Sequence, residues 1–105
     1  MSGTCDLCGS EVHQDELFTF TSRNTVVHYT CFRRKAMKTS RLEPNQMKVI
    51  LDSLEDELND VVSYKRRASN LLEEARKTLG RAEKDAEKNA VLLTRLAEKF
   101  SGVLE

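Results

Sequence analysis

Cys5-Asp-Leu-Cys8 and, after nineteen intervening residues, His28-Tyr-Thr-Cys31 place four metal-ligand side chains in two close pairs. Tetrahedral Zn²⁺ takes four soft or borderline donors, and a two-residue spacer lets a tight turn aim both members of a pair at one point. The reading uses all three cysteines of the chain. A closed Cys3His shell leaves no position for water or substrate, so the expected cofactor is one structural Zn²⁺ per chain that holds the fold. A redox Cys-x-x-Cys normally opens a helix in a βαβ context, and only Met1 to Thr4 precede Cys5, too few to make the strand and crossover. A disulfide framework would leave one cysteine over. His13 lies in the polar run Ser10 to Glu16 with no Cys or His at ligand spacing, and reads as a surface residue.

Outward from these pairs, Leu17-Phe-Thr-Phe-Thr-Ser and Thr25-Val-Val-His-Tyr-Thr concentrate β-formers on either side of Arg23-Asn24, which predicts a short hairpin. Gly9 is placed to take a positive φ, so that backbone N–H groups of the first ligand turn point at thiolate sulfurs. Cys31 is expected to open a helix over Phe32 to Leu42. Knuckle, hairpin and helix together describe a treble-clef-like finger with a short basic helix over residues 1–43. So small a unit buries little apolar surface, which is the size range where a metal is usually needed for folding.

At these residues the chain resembles known families. The Cys-x2-Cys-x19-His-x2-Cys pattern, with an aromatic residue after the last ligand, is similar to one zinc module of a LIM domain, and more loosely to the finger of a group of ribosomal proteins. CDLCG, ELFTF and VVHYTCF look like a small archaeal family of uncharacterised proteins with a LIM-like finger and a helical tail. The resemblance covers about residues 5–38 and implies that Cys5, Cys8, His28 and Cys31 are the zinc ligands. It implies a fold and no particular activity. This chain has one zinc module where a LIM domain has two, and His28 where the ribosomal pattern carries cysteine.

From Pro44, a residue suited to the first turn of a helix, the pattern turns helical. Seam positions recur in alternating steps of four and three from Met47 through Leu51, Leu54, Leu58, Val61, Lys65, Ala68, Leu72, Ala75, Leu79, Ala82, Ala86, Asn89, Leu93, Leu96 and Phe100 to Val103. A 3.5-residue period over 57 residues predicts a coiled coil over 44–105, and a continuous helix of that length runs roughly 85 Å. An antiparallel pairing sets Leu51 against Val103, Leu54 against Phe100, Leu58 against Leu96, Val61 against Leu93 and Lys65 against Asn89. A parallel pairing instead lays the acidic stretch from Asp52 to Asp60 beside its own copy. Two arrangements satisfy the antiparallel register. Continuous helices in a homodimer keep the phase unbroken through Gly80 and are favoured; a hairpin folded near Lys77 to Arg81 makes the same pairs within one chain. Ile50, Val62, Leu71, Leu92 and Leu104 flank the seam and widen it enough for a four-helix bundle. The expected fold class is therefore mainly α, with a small zinc-stabilised β-hairpin module.

Seventeen basic and seventeen acidic residues balance, so no overall field attracts nucleic acid or an anionic membrane. No apolar run reaches the length of a membrane span, and no secretory signal or lipidation motif is found at either end, so a cytoplasmic location is expected. The absence of a Ser/His/Asp grouping or a phosphate-cradling glycine loop, together with a closed metal shell, points to a non-enzyme without a small-molecule substrate. The leading expectation is a protein-interaction or scaffolding module, homo-oligomeric through its seam, with another protein as a further candidate partner. The alternative is binding to nucleic acid or the ribosome through Arg33, Arg34, Lys35, Lys38 and Arg41, five bases in nine residues. On a helix Arg34, Lys38 and Arg41 share a face while Phe32, Ala36 and Met37 turn inward.

Overall fold

A computed structural model describes residues 3–68 and 72–105. Strand β1 (Gly3–Thr4) pairs antiparallel with β2 (Glu11–Val12), and β3 (Phe18–Phe20) with β4 (Val26–His28), setting Phe18 opposite His28 and Phe20 opposite Val26. The expected turn at Arg23-Asn24 is present: Asn24 sits at φ 61°, a left-handed conformation that asparagine tolerates. The buried Thr21 organises it, its hydroxyl meeting that of Thr25 at 2.6 Å and accepting the N–H groups of Arg23 and Thr25. The β1–β2 pair, two residues a side, is too short to leave a periodic signature in the sequence.

Helix α1 (Tyr29–Lys38) starts and ends earlier than the expected Phe32 to Leu42. The chain passes straight from strand to helix because the Tyr29 N–H bonds the Leu17 carbonyl at 2.9 Å, and the helix ends where the Thr39 hydroxyl donates to the Lys35 carbonyl at 2.7 Å. Phe32 and Ala36 face inward and are fully buried, Met37 is half-buried, and Arg34 and Lys38 face out. The phenol of Tyr29 donates to the Leu51 carbonyl at 2.7 Å, docking α1 on the next helix.

The helical half is two helices, α2 (Pro44–Ala68) and α3 (Glu73–Lys99), rather than a continuous rod. They run antiparallel, since the Arg41 N–H just before α2 bonds the Phe100 carbonyl just after α3 at 2.7 Å. The longest dimension is 46 Å, about half that of the expected coiled coil. Neither does the chain turn at Lys77 to Arg81: Gly80 lies inside α3. Charge marks the two helix ends. The last turn of α2 carries Lys65, Arg66 and Arg67 and the first turn of α3 carries Glu73 and Glu74, each sign matched to the helix end it occupies.

On α2 the seam is as expected, with Met47, Leu51, Leu54 and Leu58 buried. On α3 the buried stripe is Ala86, Ala90, Thr94 and Ala97, rotated away from the expected Asn89, Leu93 and Leu96. Large side chains on one helix thus face small ones on the other. Leu58 shares a cleft wall with Glu87, Ala90 and Val91, so it does not lie opposite Leu96. Of the remaining expected seam residues, Leu72 is 84% exposed, Leu96 is 38% exposed, and Val61, Leu79, Leu93 and Phe100 are half-buried. Leu71 lies outside the described residues.

The rotation has a cause in the finger. Helix α3 must face β3 as well as α2: the Thr19 and Thr94 hydroxyls meet at 2.8 Å, Arg95 Nη1 donates to the Phe20 carbonyl at 3.0 Å, and the Ser22 N–H donates to Glu98 Oε2 at 2.9 Å. One buried cluster joins Cys5, Val12, Val27, Phe32 and Ala36 to Met47, Leu51, Leu54, Ala97 and Val103. Beyond this cluster a cleft of about 820 Å³ opens between finger and hairpin, walled by Phe18, Phe20, Leu58, Val62 and Val91.

Candidate metal centre

The first ligand pair lies on the loop from β1 to β2. Gly9, at φ 78°, lets this loop close, and its N–H bonds the Cys5 carbonyl at 2.8 Å while the Cys5 N–H bonds Ser10. The Asp6 N–H reaches the Val26 carbonyl at 3.0 Å and so ties the knuckle to β4. The second pair brackets a strand-to-helix junction: His28 ends β4 in extended conformation and Cys31 lies in the first turn of α1. The ligand atoms of Cys5, Cys8, His28 and Cys31 all lie within 4.8 Å of one another.

These separations suit one tetrahedral ion. Bond lengths of about 2.3 Å to sulfur and 2.05 Å to nitrogen give edges of roughly 3.8 Å between sulfurs and 3.6 Å between nitrogen and sulfur. His28 Nδ1 stands 3.4 Å from Cys8 Sγ and 3.8 Å from Cys31 Sγ. Cys5 and His28 are buried, Cys31 is half-buried and Cys8 is exposed, so the centre is sealed on the core side and open at one ligand. The His28 N–H donates to Cys5 Sγ at 3.3 Å, the kind of backbone donor that stabilises a metal thiolate.

Electrostatics in the metal-free site are set by these contacts. Burial opposes ionisation of Cys5, but the backbone N–H groups of His28, Cys8 and Leu7 outweigh it and bring the thiol down to about 6. The Ser10 backbone N–H lowers Cys8. Burial disfavours the His28 imidazolium, yet the Cys5 and Cys8 sulfurs and the Glu16 carboxylate raise it to about 9. Cys31 is pushed up to about 11 by burial and by the sulfurs of Cys8 and Cys5. At neutral pH the metal-free site therefore holds a thiolate at Cys5, an imidazolium at His28 and a thiol at Cys31. Metal ligation needs every one of them deprotonated. Metal uptake at pH 7 is expected to release at least two protons, those of His28 and Cys31, and affinity to fall as pH drops. Calorimetry in buffers of differing ionisation enthalpy measures that number, and release of less than one proton contradicts the assignment.

Residues 1–99 match a family described as uncharacterized proteins conserved in archaea (DUF2175). The chain belongs to this family. No curated protein and no solved structure matches it. In this DUF2175 chain the four expected ligands come together, whereas the five bases do not form one free patch. Arg33 Nη1 donates to the Tyr29 hydroxyl at 2.9 Å and pairs with Asp52 at 2.8 Å. Lys35 donates to the Glu105 carbonyl at 2.6 Å and Arg41 pairs with the Glu105 carboxylate at 3.1 Å. Only Arg34 and Lys38 of the five are exposed without such a contact among the described residues. His13 is exposed, and its N–H donates to Glu16 Oε1 at 2.9 Å. Sequence reasoning passed over Glu16, whose carboxylate stands 3.4 Å from His28 Nε2. It reads as one more polar loop residue until the β3–β4 register brings it beside His28. No helix among the described residues is long and apolar enough to cross a membrane.

Proposed function

We propose that this protein is a non-enzymatic, zinc-stabilised interaction module that self-associates through the hairpin face its finger leaves uncovered. Three thiolates and an imidazole suit zinc, and four protein ligands leave the ion no position for a substrate. A site that depends on reduced thiols also suits a reducing compartment such as the cytoplasm.

The observation that carries the reading is the exposure of Leu92 and Leu96, 61% and 38%. A two-helix hairpin has two broad faces. The finger takes one, since Thr94, Arg95 and Glu98 all reach the β3 hairpin. At 100° per residue Leu92 and Leu96 fall on the other flank of α3, beside the half-buried Leu93 and Phe100, and Ile50 falls on the flank of α2 away from Asp52. A second copy laid on this face completes a four-helix bundle, a homodimer built from hairpins instead of rods. Each leucine fully buried there contributes about 1.5–3 kcal/mol before the cost of association.

Sedimentation velocity on the zinc-loaded protein tests the reading. A dimer at micromolar concentration is expected, and the Leu92→Glu, Leu96→Glu double variant is expected to sediment as a monomer with unchanged helix and zinc content. A monomeric parent protein overturns it. Nucleic-acid binding draws on less: with Arg33, Lys35 and Arg41 engaged inside the chain, Arg34 and Lys38 remain, a combined slope of about −1.8 in log affinity against log salt on duplex DNA.

A further inference from the structure

We infer that Glu16 is the outer carboxylate of the metal centre, holding the His28 imidazole so that Nδ1, and not Nε2, binds the ion. The inference rests on the reading of Cys5, Cys8, His28 and Cys31 as a metal site. It is carried by how the two ring nitrogens are divided. Nδ1 lies 3.4 Å and 3.8 Å from the Cys8 and Cys31 sulfurs, while Nε2 lies 3.4 Å from Glu16 Oε1. A neutral imidazole has one lone pair for the metal and one N–H to give away, so ligation at Nδ1 leaves the proton on Nε2, the nitrogen 3.4 Å from the carboxylate.

Glu16 is held in place before any metal arrives. Its carboxylate accepts the His13 N–H at 2.9 Å, and its own N–H bonds the His13 carbonyl at 3.1 Å, closing a tight loop. The next residue, Leu17, accepts the N–H of Tyr29, the residue after His28. Acid and imidazole thus each sit one residue before a partner in the same backbone hydrogen bond, and the pairing of Phe18 with His28 fixes the reach between them. Glu16 is accordingly a positioning residue: it touches the ligand and not the ion.

The test uses the full chain, carrying Glu16→Ala or Glu16→Gln, alone and combined with His28→Cys. Zinc affinity and release rate are read by competition with a chromophoric chelator. Glu16→Ala is expected to weaken zinc binding about 10- to 100-fold, with Glu16→Gln recovering part of the loss. In the His28→Cys background, which has no imidazole to orient, the same alanine is expected to change nothing. An equal loss in both backgrounds assigns Glu16 to the 13–16 loop alone and overturns the inference. Long-range ¹H–¹⁵N spectra of the zinc-loaded parent protein decide independently of any variant: zinc on Nδ1 with the proton on Nε2 is expected, and zinc on Nε2 refutes it. A parent protein that takes up no zinc sinks the metal reading itself; a parent that binds zinc as tightly as Glu16→Ala sinks only the role of Glu16.

Discussion

Removal of the metal by a chelator at neutral pH is expected to unfold residues 3–38 while α2 and α3 stay helical in a loosened hairpin. The finger's strands are two or three residues long, and such short pairs are not stable alone. Its own buried apolar residues are few: Val12, Val27, Tyr29, Phe32 and Ala36. Structural zinc supplies about 10–16 kcal/mol of apparent binding free energy in isolated fingers, more than the whole stability of many small domains. Circular dichroism is expected to lose only the share of α1, ten residues, while trypsin gains access to Arg23, Arg33 and Arg34. Cys5→Ser is expected to reproduce the effect without chelator, because Cys5 is 1% exposed and its sulfur accepts the His28 N–H. Retention of protease resistance after complete metal removal contradicts the assignment.

Leu54→Ala is expected to cost about 2–5 kcal/mol and Leu72→Ala less than about 0.5 kcal/mol. Both residues are seam positions by sequence, and the fold separates them: Leu54 is fully buried, Leu72 is 84% exposed. A loss of 2 kcal/mol in a chain of this size lowers Tm by roughly 8–16 °C, so thermal unfolding resolves the difference easily. Equal destabilisation by the two variants would restore the continuous seam.

The clustering of Cys5, Cys8, His28 and Cys31 was legible because the constraint is local: two residues between donors and a turn that aims them. Asn24 and Pro44 were legible for the same reason, each meeting a backbone demand at its own position. The α2 stripe was legible because α1 and α3 bury the same leucine-rich face of it. The α3 stripe was not, since its position is a compromise between α2 and β3, and the heptad count knows nothing of β3. Small residues at Ala90, Thr94 and Ala97 were the available sign that another layer comes close. The division into two helices escaped because the steps of four and three carry from α2 into α3 without a slip, so phase alone cannot reveal it; the switch from Arg66 and Arg67 to Glu73 and Glu74 could have. Glu16 required the β3–β4 register, which places residues twelve apart side by side.

Thr19 meets Thr94 across 75 residues, Thr39 meets Gly102, and Lys35 meets Glu105. The inner wall of the finger is thus supplied by residues 63 to 75 positions away in sequence. The ligand loops and helix α3 are held by one another, so a substitution that loosens the packing of α3 is felt at the four donors, far away along the chain.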